Sequence, residues 1–533
     1  MRKAVVLAAL VVAPAAHAAS LAPPPLPTAR ALAIPDPTAY SLVQLRDGEG
    51  SARLRAAGGE LLTAAPPIWR VPAVAASRVL PGLARDGLLL ATGPDRVLAG
   101  DGRIAATADP LLDAEWWLSH VGADQVQPPG SGVPVTVIDS GLDTSHPEFA
   151  GRPATRLLNT QSVTGGEELH GTAVASVAAA PANGVGLVGI YPRAALRSWD
   201  ASPSGTLTEG DELRGIATAI RAGRSVINLS LGSEQRDFFE QEGVFVAFAS
   251  GSLVVAAAGN DREHGSPLAF PANLPHVLTV AATDESDAVT VFSSASSGID
   301  LAAPGQDIPV AVPLSFSSSG YALVDGTSFS APIVSGAAAW VWTMRPKLTV
   351  TQIFDLMRYA ARDIGPRGFD RDTGFGLLDV PNALAAAAPA SDGVEPNDDV
   401  YLVRPGGLFR QGFKPLAGPR KATAASTARL DRSEDPADVY RIWVPVRSRV
   451  SVFVRGDRDV DLRIWGPATR TIAEGGAARR RDLVATSARA ANGHEAAAVA
   501  NVSSHGVWNY AAVTLGRRAG DARYSISVST ARR

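Results

Sequence analysis

The sequence predicts an α/β protein: a parallel sheet with helices on both faces, preceded by a small α+β unit and followed by an all-β sandwich. Three observations carry this expectation. Across residues 134–388 short continuous apolar runs alternate with helix-compatible ones, the pattern of parallel strands joined by crossover helices. Ahead of them, residues 40–99 mix short extended runs with helix-compatible pieces. Beyond residue 400 helical periodicity disappears, and alternating runs bounded by turn residues read as an antiparallel sandwich.

At 533 residues the chain exceeds what one core supports, so several domains are expected. Its 46% apolar and 19% charged residues are ordinary for a globular protein. A net charge of −3 gives no argument for nucleic acid or an anionic membrane as partner. Arg2 and Lys3 precede an apolar run over residues 4–12 and then Ala16-His17-Ala18, the make-up of a secretory signal peptide spanning residues 1–18. That run falls short of the about 20 apolar residues a bilayer span needs. Export without a stable membrane span, to a secreted, extracellular location, is the expectation. With no cysteine the chain has no disulfides, which leaves core burial, or a metal ion, to hold an exported fold.

Taken in order, residues 20–35 are a leader rich in Pro and Ala. The α+β unit has extended runs at 40–45, 68–71 and 87–92 and helix-compatible runs at 51–57 and 73–83. A binding module or a linker domain fits it, and its place between export signal and next domain suits a propeptide, residues 19–108. Trp116-Trp117 then opens residues 109–388, as an arm packed on that domain or, alternatively, a carbohydrate platform. Strands are expected at 135–138, 226–229, 253–258 and 277–281, their unbroken apolar character marking burial on both faces. Helices are expected at 170–180, 209–222, 236–249, 328–342 and 351–361. Residues 389–399 form a breaker-rich linker, and 400–533 the sandwich, with alternating runs at 438–444, 449–454, 461–465 and 524–528.

Four stretches carry chemistry. Asp139 follows the apolar run 135–138, at the carboxyl end of a strand, where open α/β sheets place their ligand sites. A carboxylate there needs hydrogen-bond partners, and an imidazole N–H is a good one; binding a metal or capping a turn is the alternative. His170 opens a helix of small residues, so its ring can project into a cleft. Ser328, in Gly326-Thr327-Ser328-Phe329-Ser330-Ala331-Pro332, sits where an extended run gives way to a small-residue helix. Free N–H groups and the helix dipole there stabilise negative charge beside a nucleophile, although an N-cap serine followed by a core helix is the favoured reading of this stretch alone. Pro332 is tolerable if it falls in the first helical turn. Asn260 ends the apolar run 254–258 after Gly259, where its amide can donate to a developing oxyanion or merely close a turn.

Together these stretches resemble the subtilisin family of serine endopeptidases. Val137-Ile138-Asp139-Ser140-Gly141-Leu142-Asp143, with His146-Pro147, resembles its aspartate motif; His170-Gly171-Thr172 its histidine motif; and Gly326 to Pro332 its serine motif. Asn228-Leu229-Ser230-Leu231-Gly232 is similar to the strand that binds substrate backbone, and Gly374 to Asp379 to the closing motif. The order Asp139, His170, Ser328 is the one found in subtilisin. The resemblance covers residues 109–388. It departs from the family at Ala173, where a second His is common, and at Ser176 and Leu169, each in place of a common Gly. The tail, with Glu395-Pro396-Asn397-Asp398 and Asp438-Val439-Tyr440, is similar to a bacterial pre-peptidase C-terminal domain.

The resemblance implies a secreted serine endopeptidase made as a zymogen, with its own propeptide as inhibitor and polypeptides as substrates. Asp139, His170 and Ser328 would form the triad and Asn260 the oxyanion donor. The pocket for the residue preceding the scissile bond would be walled near Ser230, Leu231, Gly232, Ala258 and Gly259, with Ala269 at its floor. None of these is charged, so apolar residues such as Leu or Met are expected there. No cofactor is expected in catalysis. Glu148 and Asn183 resemble contributors to a structural calcium site, with two solvated loop residues as the favoured alternative. Two other functions remain open: a non-catalytic exported binding protein with a protease-like core, and a non-peptidase acyl hydrolase, although Ser328 lacks the Gly-x-Ser-x-Gly elbow of that class.

Overall fold

The computed structural model describes residues 30–31, 40–45, 50–64, 67–94 and 109–532, the last stretch with short interruptions at 164–168, 204, 391, 393–394, 422, 474–475, 489–492 and 517–518. The expected signal peptide and most of the leader fall outside the described residues. At the centre is a seven-stranded sheet in the order Leu301–Pro304, Val277–Thr283, Leu253–Ala257, Val226–Leu229, Val135–Asp139, Leu196–Asp200, Thr155–Leu157. Every pairing in it is parallel. All four expected strands are present and fully buried along their length, which is why they read as unbroken apolar runs. Three strands go beyond the expectation. Leu196–Asp200 alternates buried with half-buried residues, Thr155–Leu157 is a short, poorly buried edge, and Leu301–Pro304 is four residues ending in proline.

Alternate residues of each strand feed two cores. Val135, Val137 and Val255 pack with helices His170–Ala179 and Thr327–Met344 on one face. Ile138, Ile227 and Val254 pack with helices Glu209–Arg221 and Phe238–Ala249 on the other. The latter two helices are capped by Thr208 and Asp237, whose side chains accept from Asp211 N and Phe239 N, satisfying donors that a helix start leaves free. Small residues let the two helices of the first face approach closely. A Cβ on Gly336 would lie 2.2 Å from Ile190 Cγ2 and 2.8 Å from Ala178 O.

The serine helix corrects one expectation. It opens at Thr327, so Pro332 falls in its second turn, not its first. Lacking an N–H, Pro332 leaves the carbonyl of Ser328 without its helical donor. Ser230 Oγ fills that role at 2.7 Å. The helix is thereby tied at Ser328 to the residue that follows the Val226–Leu229 strand.

The smaller units match the expected classes. Glu60–Ala64, Pro67–Pro72, Tyr40–Leu45 and Leu89–Pro94 form an antiparallel sheet in that order, packed with helices Ser51–Ala56 and Ala73–Arg85 around Leu45, Leu54, Trp69 and Leu83. Arg30–Ala31 pairs antiparallel with Tyr321–Val324 of the central domain. Beyond residue 400, two four-stranded antiparallel sheets face each other across Leu430, Ile442, Val452, Leu462, Val513 and Ile526. The tandem tryptophans form a packed arm and not an exposed platform: Trp117 is fully buried, and Trp116 meets His120 edge-on.

The sandwich joins the central domain through buried polar groups. Arg358, on helix Val350–Tyr359, lies 2.9 Å from Asp300 and 3.1 Å from Asp431 at the end of strand Ala424–Asp431. His276 donates its backbone N–H to Glu434 at 3.0 Å, and its Nε2 lies 3.0 Å from Asp398 Oδ2.

Candidate active site

The chain leaves the Val135–Asp139 strand towards one edge of the sheet and later returns to build the other edge from Val226–Leu229. The crevice outside the carboxyl ends at such a switch point is where open α/β sheets bind ligands. Asp139 is the last residue of its strand, 1% exposed, and accepts the Ser140 N–H at 2.7 Å. His170 is the first residue of its helix and is 3% exposed. Its Nδ1 lies 2.9 Å from Asp139 Oδ1 and 3.0 Å from Oδ2.

Glycine permits that approach. A Cβ on Gly171 would lie 2.2 Å from Gly141 O, and the Gly171 N–H donates to Ser140 Oγ at 3.0 Å. A carboxylate on Nδ1 holds the proton there and leaves Nε2 as the basic nitrogen. Nε2 is buried and has no hydrogen-bond partner among the described residues.

Ser328 is the second residue of its helix and 1% exposed. The ring of the following residue, Phe329, lies 5.7 Å from the His170 ring, which brings the first turn of the serine helix beside the imidazole. Ser328 Oγ donates to Ser230 O at 3.5 Å and not to His170. Such bonds are commonly long or absent until substrate closes the site. Asn228 Nδ2 donates to Ser230 Oγ at 2.9 Å, and Ser335 Oγ to Asn228 Oδ1 at 2.9 Å, fixing strand to helix around Ser328.

Asn260 is oriented by a residue the sequence reading overlooked. Its Oδ1 accepts from Thr327 N at 2.9 Å and Thr327 Oγ1 at 3.0 Å. Both contacts are donors, which assigns the oxygen to that side and turns the amide NH₂ the other way. A Cβ on Gly326 would lie 3.5 Å from that nitrogen. Adjacency to Ser328 was the available sequence signal for Thr327.

Beside Ser328 lies a pocket of about 190 Å³, with Ser230, Leu231, Gly232, Gly259 and Ala269 in its lining as expected. Ala258 is not among the lining residues; it is buried, and its neighbours Ala257 and Gly259 form that wall. A Cβ on Gly259 would lie 3.3 Å from that of Ala269, so the pocket is narrow there. The expectation of an uncharged lining fails: Glu234 and Asp261 also line it. The departures from the family pattern are accommodated. Ser176 Oγ donates to Ala173 O at 2.7 Å and accepts from Ala311 N at 3.0 Å, and Leu169 is buried.

Glu148 and Asn183 are committed to a loop. Glu148 Oε1 accepts from Leu187 N and Tyr321 OH, both at 2.8 Å, and burial pushes its carboxyl up to about 8. Asn183 Oδ1 accepts from Val185 N at 2.9 Å. Asp109 and Glu115 tie the same loop through the N–H groups of Gly184 and Val188. Among the described residues, side chains clustered closely enough to share a cation occur at the domain junction: His276, Glu395 and Asp398, and Asp392, Glu395 and Asp435.

Comparison with known proteins gives the same picture. The model of the subtilase family matches residues 130–376. A subtilisin from Bacillus pumilus is 35% identical over 261 residues, covering 48% of this chain and 91% of that protein. Subtilisin amylosacchariticus, from Bacillus subtilis subsp. amylosacchariticus, is also 35% identical over 261 residues, and the match spans 66% of its length. Among solved structures, fervidolysin from Fervidobacterium pennivorans, a keratinolytic enzyme related to subtilisin, is similar in fold. Its TM-score is 0.50 at 19% identity, over 90% of this chain and 89% of that one.

Proposed function

Because this chain belongs to the subtilase family of serine-type endopeptidases, we propose that it hydrolyses peptide bonds within polypeptides by acyl transfer, with Asp139, His170 and Ser328 as its triad. His170 Nε2 takes the hydroxyl proton as Ser328 Oγ attacks the carbonyl carbon, then returns it to the leaving amine. Asp139 keeps the proton of the resting imidazole on Nδ1 and stabilises the imidazolium. The Asn260 amide and the Ser328 N–H bind the oxyanion. Water then attacks the acyl-enzyme by the same proton route, without a cofactor.

The observation that carries this reading is the buried double contact of Asp139 on His170 Nδ1, at 2.9 and 3.0 Å, beside the nucleophile's helix. Casein turnover together with covalent labelling by a fluorophosphonate tests it. Wild type should show both, and Ser328→Ala neither while remaining folded. Labelling without proteolysis would favour another acyl hydrolase. Absence of both would favour a binding protein.

The same reading makes the chain an exported zymogen, with residues 1–18 as signal, 19–108 as inhibitory propeptide, 109–388 as peptidase, 389–399 as linker and 400–533 as C-terminal domain. The α+β unit ahead of the active-site domain supports it. No helix among the described residues is long and apolar enough to cross a membrane. Enzyme from culture medium should begin near Asp109. Active secreted enzyme beginning near Ala19 would contradict the propeptide assignment.

A further inference from the structure

We propose that the pocket beside Ser328 takes a cationic side chain, Lys or Arg, on the residue preceding the scissile bond, and that Glu234 and Asp261 select it. This rests on the peptidase reading above. Glu234 and Asp261 are among its lining residues, and no described residue of the lining is Lys or Arg.

The fold fixes where they stand. Ser233 and Phe270 exchange backbone hydrogen bonds of 2.9 and 2.8 Å, tying the segment that carries Glu234 to the one that carries Ala269. Asp261 directly follows Asn260; its N–H donates to Ser294 Oγ at 3.0 Å, and its carbonyl accepts from His264 N and Ser266 N. The neighbouring arginines are engaged elsewhere. Arg262 donates to Ser293 O at 2.6 Å and to Asp372 at 2.7 Å, and Arg236 donates to Gln241 at 2.7 Å. The imidazole of His264, itself exposed, lies 3.4 Å from the Asp261 carboxylate.

A pocket with Leu231, Ala257 and Ala269 along its sides and carboxylates in its lining suits an aliphatic stem tipped by a cation. A substrate glutamate would meet like charge there. Glu234 is exposed and the Asp261 side chain is 51% exposed. Solvent screening therefore limits each to roughly a two- to fivefold preference.

The test uses secreted active enzyme and peptide amides that differ only at the residue before the scissile bond: lysine, its uncharged near-isostere norleucine, and glutamate. The lysine-to-norleucine ratio of kcat/KM should fall roughly two- to fivefold in Glu234→Gln and in Asp261→Asn, and by about the product of the two in the double variant. Cleavage of the glutamate peptide should rise in step. Added salt should compress the ratio in wild type and leave it unmoved in the double variant. An unchanged ratio in the double variant, with both peptides still cleaved, overturns the pocket assignment alone. Failure of the wild type to cleave any peptide or to react with a fluorophosphonate overturns the peptidase reading beneath it.

Discussion

Replacing Arg358 with leucine should unhinge the contact between the central domain and the sandwich. The Arg358 side chain is 4% exposed and lies 2.9 Å from Asp300, itself 2% exposed, and 3.1 Å from Asp431. Its guanidinium also sits 4.9 Å from the centre of the Phe375 ring. Leucine fills part of the volume but strands the buried Asp300 and leaves the half-buried Asp431 without its guanidinium, and breaking a buried pair from one side costs roughly 3–5 kcal/mol. At roughly 2–4 °C per kcal/mol for a domain of this size, the melting temperature should drop by about 6–20 °C.

The sign of its pH dependence follows from the partners. Burial pushes Asp431 up, but Arg358 and the N–H groups of Ser433 and Glu434 outweigh it and hold the carboxyl below its ordinary value. A depressed carboxylate gives stability that is present above the unfolded pKa and lost as pH falls through the folded one. The penalty of Arg358→Leu should therefore be larger at pH 8 than at pH 4. Differential scanning calorimetry on a Ser328→Ala background avoids self-digestion. Adding Asp300→Asn should recover part of the loss by removing one stranded charge. A shift under about 2 °C, well below the range just given, or a penalty that grows with acidity, would refute the reasoning.

Asn260→Ala should lower kcat by about 10²–10³ with KM little changed, a magnitude established on subtilisin itself; steady-state kinetics on one peptide amide checks it. Thr327→Val leaves Asn260 Oδ1 with only the backbone N–H, and loss of one such bond, about 1 kcal/mol, should cost roughly fivefold in kcat. Glu240 and Glu212 lie on two neighbouring helices; burial first, then repulsion from Glu240 and Glu209, pushes Glu212 well up, and burial, then repulsion from Glu209 and Asp237, pushes Glu240 to about 8. A raised acid gives stability fully present below its unfolded pKa and lost as pH rises through the folded one. Melting temperature should accordingly fall between pH 5 and pH 9 by these groups' contribution, and Glu240→Gln should flatten that fall.

The residues of the proposed triad could be picked out because each stands at the end of an element whose pattern is strong. Asp139 closes a strand buried on both faces, and His170 and Ser328 open helices of small residues. Hydrophobic patterning locates such ends, and the chemistry follows from the residue types found there. Leu196–Asp200 escaped because Arg197 and Trp199 are only half-buried and break the apolar run. The position of Pro332 was misjudged because the helix start lies within Gly326-Thr327-Ser328, which puts the proline beyond the first turn. What the sequence could not give is what tertiary contacts decide.

The charge of the pocket is the clearest case. Glu234 and Asp261 lie outside helices and strands, where no periodicity points a side chain. They line one pocket because Ser233 pairs with Phe270 and because Asn260 is drawn to Thr327. The carbonyl of Ser328 shows the same principle inside the catalytic machinery. Pro332 removes its helical donor, and Ser230, nearly a hundred residues earlier in the chain, supplies the replacement. A helix interior would have held that carbonyl regardless of the rest of the fold. Here the backbone of the proposed nucleophile is held by the same segment, Ser230 to Gly232, that lines the adjoining pocket. A substitution that displaced that wall would also displace the donor on the Ser328 carbonyl, so pocket shape and the position of Ser328 are coupled.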